Sequence, residues 1–313
     1  MNLIGKLQPV IIITAALIGL LLGNFTPLGS VSSGLIEVFL MMLLYVLFLS
    51  IDLKQIKKSF SNVRFTLSAV AINFIFTPLF GFLLGKLFFP ESIDIRIGLL
   101  MLLVTPCTDW YLVFTGLGKG NVELGMSILP LNLILQIVLL PVYLLVLIGS
   151  EVTMDVADLL GSVAMVLVIP FTLAYITNWL TKGKEKFQDF LSAQGDNLQL
   201  LFLCLAVIVM FASESKSLME NPVLLAQMFI PLLIFFAVLL VVSQIVGRLM
   251  KFPKKDIVAL NMTTLARNSP LSLAIAVATF PDRPLISLAL VIGPLIELPV
   301  LSVIAAILKR WNR

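Results

Sequence analysis

Apolar runs of roughly twenty residues recur along the whole chain, separated by short polar connections. The first, PVIIITAALIGLLLGNF from Pro9 to Phe25, contains no charge. A helix rising about 1.5 Å per residue needs about twenty such residues to cross a hydrocarbon core about 30 Å thick. Lipid offers no partner to a free backbone amide, so an apolar run of this length crosses as a helix, with its hydrogen bonds closed internally. Composition agrees: 60% of the 313 residues are hydrophobic and 12% charged, against about 45–50% and about 25% in soluble domains. The opening run is too long for a signal-peptide core and lacks a small-x-small cleavage pattern, so it reads as a retained first span.

Ten spans are predicted, at about 8–27, 34–51, 65–89, 96–116, 124–148, 157–180, 197–213, 222–247, 257–280 and 285–308. Charge placement tests that number independently, because cytoplasmic loops collect Lys and Arg. Of the 21 basic residues, sixteen then fall on one side, among them Lys54, Lys57, Lys58, Arg248, Lys251, Lys254, Lys255, Lys309 and Arg310. Four fall on the other side, namely Lys86, Arg96, Lys216 and Arg283, while Arg267 stays within a span. Adding or removing a span would scramble this asymmetry. Both termini are therefore predicted to be cytoplasmic, in a multi-pass protein of the plasma membrane. The net charge of +4 reflects topology and implies no nucleic-acid partner.

The chain has no histidine and two cysteines, Cys107 and Cys204. Serine–histidine and cysteine–histidine catalysis and histidine metal sites are thereby excluded. The cysteines lie in separate apolar segments without CxxC spacing, which supports neither a disulfide framework nor zinc. No cofactor and no metal are implied. An intramembrane enzyme would need a base beside a nucleophile; Cys107 with Asp109 imitates that pair, but no histidine, metal cluster or phosphate loop accompanies it.

The two halves of the sequence echo each other. A shift of 164 residues places Pro106 on Pro270, Lys119 on Arg283 and Pro130 on Pro294. Residues 1–150 and 151–313 would then each hold five spans, and an odd number inserts the second set upside down. Such inverted repeats recur among transporters. The predicted fold is all-α, with two inverted five-helix repeats whose fourth and ninth helices are broken and cross.

Proline removes a backbone N–H and clashes with the preceding turn, so the fourth span should open at Pro106, in TPCTDW, and the ninth at Pro270, after ARNS. A single kinking proline often sits in a helix that binds nothing. Two at matching positions, flanked by Cys107, Asp109, Arg267, Asn268 and Ser269, point to a substrate site. Charges at bilayer depth cost about 2.5–3.5 kcal/mol each on insertion scales and are usually paired or functional. Arg267 can pair with Glu297, in GPLIELPV, or with Asp109; a purely structural ion pair is the plainer reading. Cys204 reads as a small buried hydrophobe and Glu37 as an interfacial residue. Asn73, Asn132 and Gln136 either line a cavity or join helices.

The stretch CTDWYLVFTGLGKGN resembles the fourth-span signature of the arsenite efflux permeases, within the bile acid/sodium symporter superfamily. LSLAIAVATF and LVIGPLIELPVL are similar to that family's ninth and tenth spans. The resemblance implies that Cys107 is the family's essential cysteine and Glu297 its tenth-span glutamate. Sodium-coupled relatives carry a Glu and a Gln-Asn cluster at the ninth-span break, where this chain reads ARNSPLS.

The implied activity is efflux of arsenite or antimonite in exchange for protons, with Cys107, Asp109, Arg267, Asn268 and Ser269 at the substrate and Glu297 or Asp109 coupling. Trivalent arsenic and antimony hydroxides are soft and thiophilic, and soft ligands select soft centres. A fixed Arg267 charge repels sodium from that position. The competing expectation is a bile-acid-symporter-like carrier of a small organic anion, with or without sodium coupling, with Arg267 on the substrate's carboxylate or sulfonate.

Overall fold

The computed structural model describes residues 3–25, 35, 38–39, 41–46, 48–49, 62–108, 110–149, 156–181, 185–213, 215–220 and 222–311. Every regular element among them is helical. In chain order these are α1 (Leu3–Phe25), α2 (Val63–Phe88, with a π-helical turn at Ile72–Phe76), α3 (Ile93–Val104) and α4 (Trp110–Leu117). There follow α5 (Val122–Ile148), α6 (Val156–Leu180), α7 (Glu185–Ser213), α8 (Ser215–Glu220) and α9 (Pro222–Leu249). The last three are α10 (Lys254–Leu265), α11 (Ser269–Thr279) and α12 (Pro284–Trp311).

Four of these helices, α2, α5, α9 and α12, are long and apolar enough to cross a membrane, and the bent α7 makes a fifth if counted as one span. The chain is thus an all-helical, multi-pass membrane protein. Seven of the eighteen residues of the second expected span, Glu37 among them, lie outside the described residues, as does Asp109.

The chain divides into two compact units, each drawing on both halves of the sequence. One comprises Met1–Ile51, Met154–Pro222 and Leu273–Val291; in it α1 packs on α7. Gly19 and Gly23 of α1 face the carbonyls of Ile208 and Ala212, where a Cβ would have no room. Small residues four apart let two helix backbones approach closely, the usual means of packing apolar helices that gain nothing from leaving lipid. Tyr45 and Thr177 share a 2.9 Å hydrogen bond in the same unit.

The second unit comprises Asp52–Thr153, Val223–Ser272 and Ile292–Arg313. Its helices turn polarity inward. On α2 the exposed residues Leu67, Ile75, Leu79, Leu83 and Leu87 form an apolar stripe, while Thr66, Asn73 and Thr77 are buried. On α5 Ile134, Val138, Val142 and Val146 are exposed and Asn132 and Gln136 have no accessible surface. A helix dissolved in lipid needs this pattern, the reverse of the soluble rule.

The π-turn of α2 has a local cause. Pro78 cannot donate to the carbonyl of Phe74 four residues back. Tyr143, on α5, donates its hydroxyl to that carbonyl at 2.6 Å. The Thr77 N–H reaches back to Ile72, five residues away, and the widened turn carries Asn73 into the core.

Candidate functional site

Two helix interruptions meet inside the second unit. The first separates α3 from α4: Val104 ends the helix and Thr105 is extended, with φ −106° and ψ 97°. The other separates α10 from α11: Leu265 ends the helix and Ala266 is extended, with φ −74° and ψ 139°. Pro106 lies within the first interruption. Pro270 lies in the first turn of α11, so the second interruption covers residues 266–268 and precedes it. That is where a proline costs a helix least, because its missing N–H would be unpaired there anyway.

The two extended pieces pair as a one-residue antiparallel bridge, Pro106 opposite Arg267. The Cys107 N–H donates to the Ala266 carbonyl at 2.9 Å, and the Asn268 N–H to the Thr105 carbonyl at 2.7 Å. Both bonds flank the central pair, so Pro106 is never asked for the N–H it lacks. Backbone groups freed by one break are thus satisfied by the other, as irregular backbone in a membrane core requires.

The bridge leaves the Arg267 N–H pointing away, and Glu297 Oε1 accepts it at 2.8 Å. The same oxygen accepts Trp110 Nε1–H at 3.0 Å. Glu297 is 1% exposed, and its other oxygen, Oε2, is buried without a hydrogen-bond partner among the described residues. Gly293, one turn earlier on α12, lets the helix approach α3: a Cβ there would stand 2.7 Å from Leu102 Cδ1.

The Arg267 side chain is fully buried and spends its donors on protein oxygens. Nη1 donates to the Leu103 carbonyl at 2.7 Å, Nε to Leu265 at 3.2 Å, and Nη2 to Asn73 Oδ1 at 3.1 Å and to the Thr264 carbonyl. Phe235 stacks on the guanidinium, 5.4 Å from ring centroid to Cζ. Leu103, Thr264 and Leu265 lie in the last turns of the two interrupted helices, whose terminal carbonyls have no helical partner. Arg267 caps both breaks at once, a task for a rigid fork of donors.

Around the bridge, Thr105 and Ser272 share a 2.7 Å hydrogen bond, and Ser272 Oγ also donates to Met101 O at 2.9 Å. Asn268 caps α11 by accepting Leu271 N–H at 3.3 Å and donates to Thr108 Oγ1 at 3.3 Å. Cys107 is 2% exposed, while the buried Ser269 Oγ has no hydrogen-bond partner among the described residues. Asn73 and Asn132 both reach Thr263, Nδ2 of the first on its carbonyl at 3.2 Å and Nδ2 of the second on Oγ1 at 3.1 Å.

The structure thus gathers Pro106, Cys107, Arg267, Asn268, Ser269 and Glu297 into one unit. Cys204 belongs to the other and is half-buried. Sequence reasoning gave no role to Trp110, Thr105, Ser272 or Phe235. Trp110 carried a signal: an indole N–H at bilayer depth needs an acceptor, and Glu297 was a buried acceptor already in view.

An all-helical multi-pass protein, with a thiol, an arginine and a carboxylate buried at two joined helix breaks, has the make-up of a membrane transporter. Residues 37–221 match the model of the sodium bile acid symporter family, and the chain belongs to that family. Relatives align along most of its length. The arsenical-resistance protein Acr3 of Alkaliphilus metalliredigens is 24% identical over 291 residues, 88% of this chain and 81% of its own. Acr3 of Corynebacterium glutamicum is 24% identical over 323 residues, covering 96% and 87% of the two chains. The uncharacterised protein YbaS of Bacillus subtilis is 26% identical over 266 residues, or 84% and 85%.

Proposed function

We propose that the protein is a proton-coupled efflux carrier for arsenite and antimonite. Its frame in this reading is ten spans in two inverted repeats, 1–150 and 151–313, lying in the plasma membrane with both termini cytoplasmic. Cys107 binds the metalloid, with Asp109, Asn268 and Ser269 around it and Arg267 beneath. Glu297, or Asp109, takes the proton.

The observation that carries this reading is the consumption of the Arg267 guanidinium by four protein oxygens at the two helix breaks. A carrier of organic anions would keep that charge available for a carboxylate or sulfonate; here four of its five N–H groups are engaged. Beside it lie the buried Cys107 thiol, outside any disulfide, and the Oε2 of Glu297, which has no hydrogen-bond partner among the described residues. A thiol suits a soft, neutral metalloid hydroxide. One thiol holds it reversibly, as a carrier must. Two Acr3 proteins among the relatives support the same choice of substrate.

The test is uptake into everted membrane vesicles, comparing arsenite with taurocholate, each with a pH gradient or with sodium. Arsenite uptake driven by an acidic lumen and indifferent to sodium is the expected result. Sodium-driven taurocholate uptake without arsenite uptake would replace this reading with the organic-anion one.

A further inference from the structure

The second unit also contains a cavity at the end of α10 opposite the helix break, beside the basic ends of α9 and α12. Its volume is about 370 Å³, and its walls include Gln244, Arg248, Phe252, Lys254, Leu308 and Trp311. That size falls in the roughly 300–1,000 Å³ range of small-molecule sites. Arg248 closes the last turn of α9 and Lys254 opens α10. Neither side chain has a hydrogen-bond or ion-pair partner among the described residues. Pro253 caps α10 without a side-chain hydrogen bond, so the positive end of that helix adds to the field.

We propose that this cavity holds the headgroup of an anionic phospholipid, its phosphodiester between Arg248 and Lys254. The surroundings choose a lipid over a soluble anion. Both α9 and α12 have the length and apolarity of membrane spans, so their ends lie near a headgroup layer. Trp311, half exposed at the rim, is the residue type that settles at that layer. Val241, Ile245 and Leu249, one turn apart on α9, are all exposed and form an apolar track beside Gln244 and Arg248 along which an acyl chain can lie. Phe252 and Leu308 give the cavity an apolar wall that a small hydrophilic anion would gain nothing from. Beside the cavity, the end of α9 and the start of α10 approach closely: a Cβ on Gly247 would come within 2.9 Å of Ile257 Cγ1, and Ile257 lines the cavity.

The full-length protein is released from nanodiscs containing phosphatidylcholine and phosphatidylglycerol, and retained lipid is counted by native mass spectrometry. Phosphatidylglycerol should be retained in preference to phosphatidylcholine. Each basic residue near a headgroup contributes on the order of fivefold in binding, so the Arg248→Gln/Lys254→Gln double variant should lose at least about tenfold. The Lys309→Gln/Arg310→Gln pair, which removes equal charge outside the cavity, should lose far less. Equal losses in the two pairs would mean diffuse attraction to charge and overturn the site. Displacement of the lipid by soluble glycerol 3-phosphate would overturn the lipid assignment in favour of a soluble anion, and retention without preference for phosphatidylglycerol would overturn it altogether.

Discussion

The main-chain N–H of Arg267, and not its guanidinium, donates to Glu297 Oε1 at 2.8 Å. Sequence reasoning paired the two residues by charge; the structure joins them through the backbone that the helix break sets free. Glu297 thus caps an interruption with one oxygen and keeps the other open. Gln at this position retains an acceptor for both Arg267 N–H and Trp110 Nε1–H, whereas Ala strands both donors. Each stranded donor costs about 1–3 kcal/mol. Glu297→Gln should therefore accumulate in the membrane but fail to transport, and Glu297→Ala should melt well below it. Equal melting temperatures in detergent would show that the carboxylate is no cap.

Cys107→Ser keeps the size of the side chain and removes its softness, so arsenite uptake into everted vesicles should collapse at normal protein levels. Cys204→Ser, half-buried in the other unit, should leave uptake within about twofold, since it removes neither a charge nor a ligand. Wild-type uptake in Cys107→Ser would remove the argument for a soft substrate.

The Arg267 guanidinium makes a stability prediction of its own. Three donors on a single Lys nitrogen cannot reach the Leu103, Thr264 and Leu265 carbonyls and Asn73 Oδ1 together, as the fork does. Arg267→Lys keeps the charge yet leaves buried carbonyls unpaired, at about 1–3 kcal/mol apiece. It should lower the melting temperature more than Ser272→Ala, which loses the hydroxyl bond to Thr105 and the one to Met101 O. An Arg267→Lys protein as stable as wild type would mean that charge alone holds the breaks together.

Much of this was legible in the sequence because lipid is a severe solvent. Apolar runs long enough to cross it, and prolines within them, are hard to explain otherwise, and the described helices α2, α5, α9 and α12 fall where runs were marked. Position along a run was less legible. Pro270 marks the start of a helix rather than its interruption, since a proline reads alike as a stop and as a first turn until the chain around it is seen. Trp110 escaped because its partner, Glu297, is distant in sequence; Asn73 was marked as lining a cavity or joining helices, but its partners Arg267 and Thr263 could not be read from the sequence. The bridge between Pro106 and Arg267 is also invisible to any local pattern. It exists only once two breaks are brought together.

The coupling ion is the most exposed part of the proposal. The Arg267 guanidinium is a permanent cation, held in place by protein oxygens at the joined breaks. Sodium approaching the same oxygens would meet both a like charge and acceptors already in use. A proton needs neither room nor a vacant shell of ligands, and Glu297 Oε2 is a buried acceptor without a partner among the described residues. Efflux should therefore follow the pH gradient: in everted vesicles the lumen stands for the cell exterior, so acidifying it should accelerate arsenite uptake and collapsing the gradient should abolish the gain. Replacing sodium with choline should change nothing in the wild type. Arg267→Gln removes the fixed charge and releases the Leu103 and Thr264 carbonyls, so whatever transport it keeps should become faster in sodium than in choline. Wild-type uptake that requires sodium, with Glu297→Gln unaffected, would assign the coupling to a different ion and a different residue.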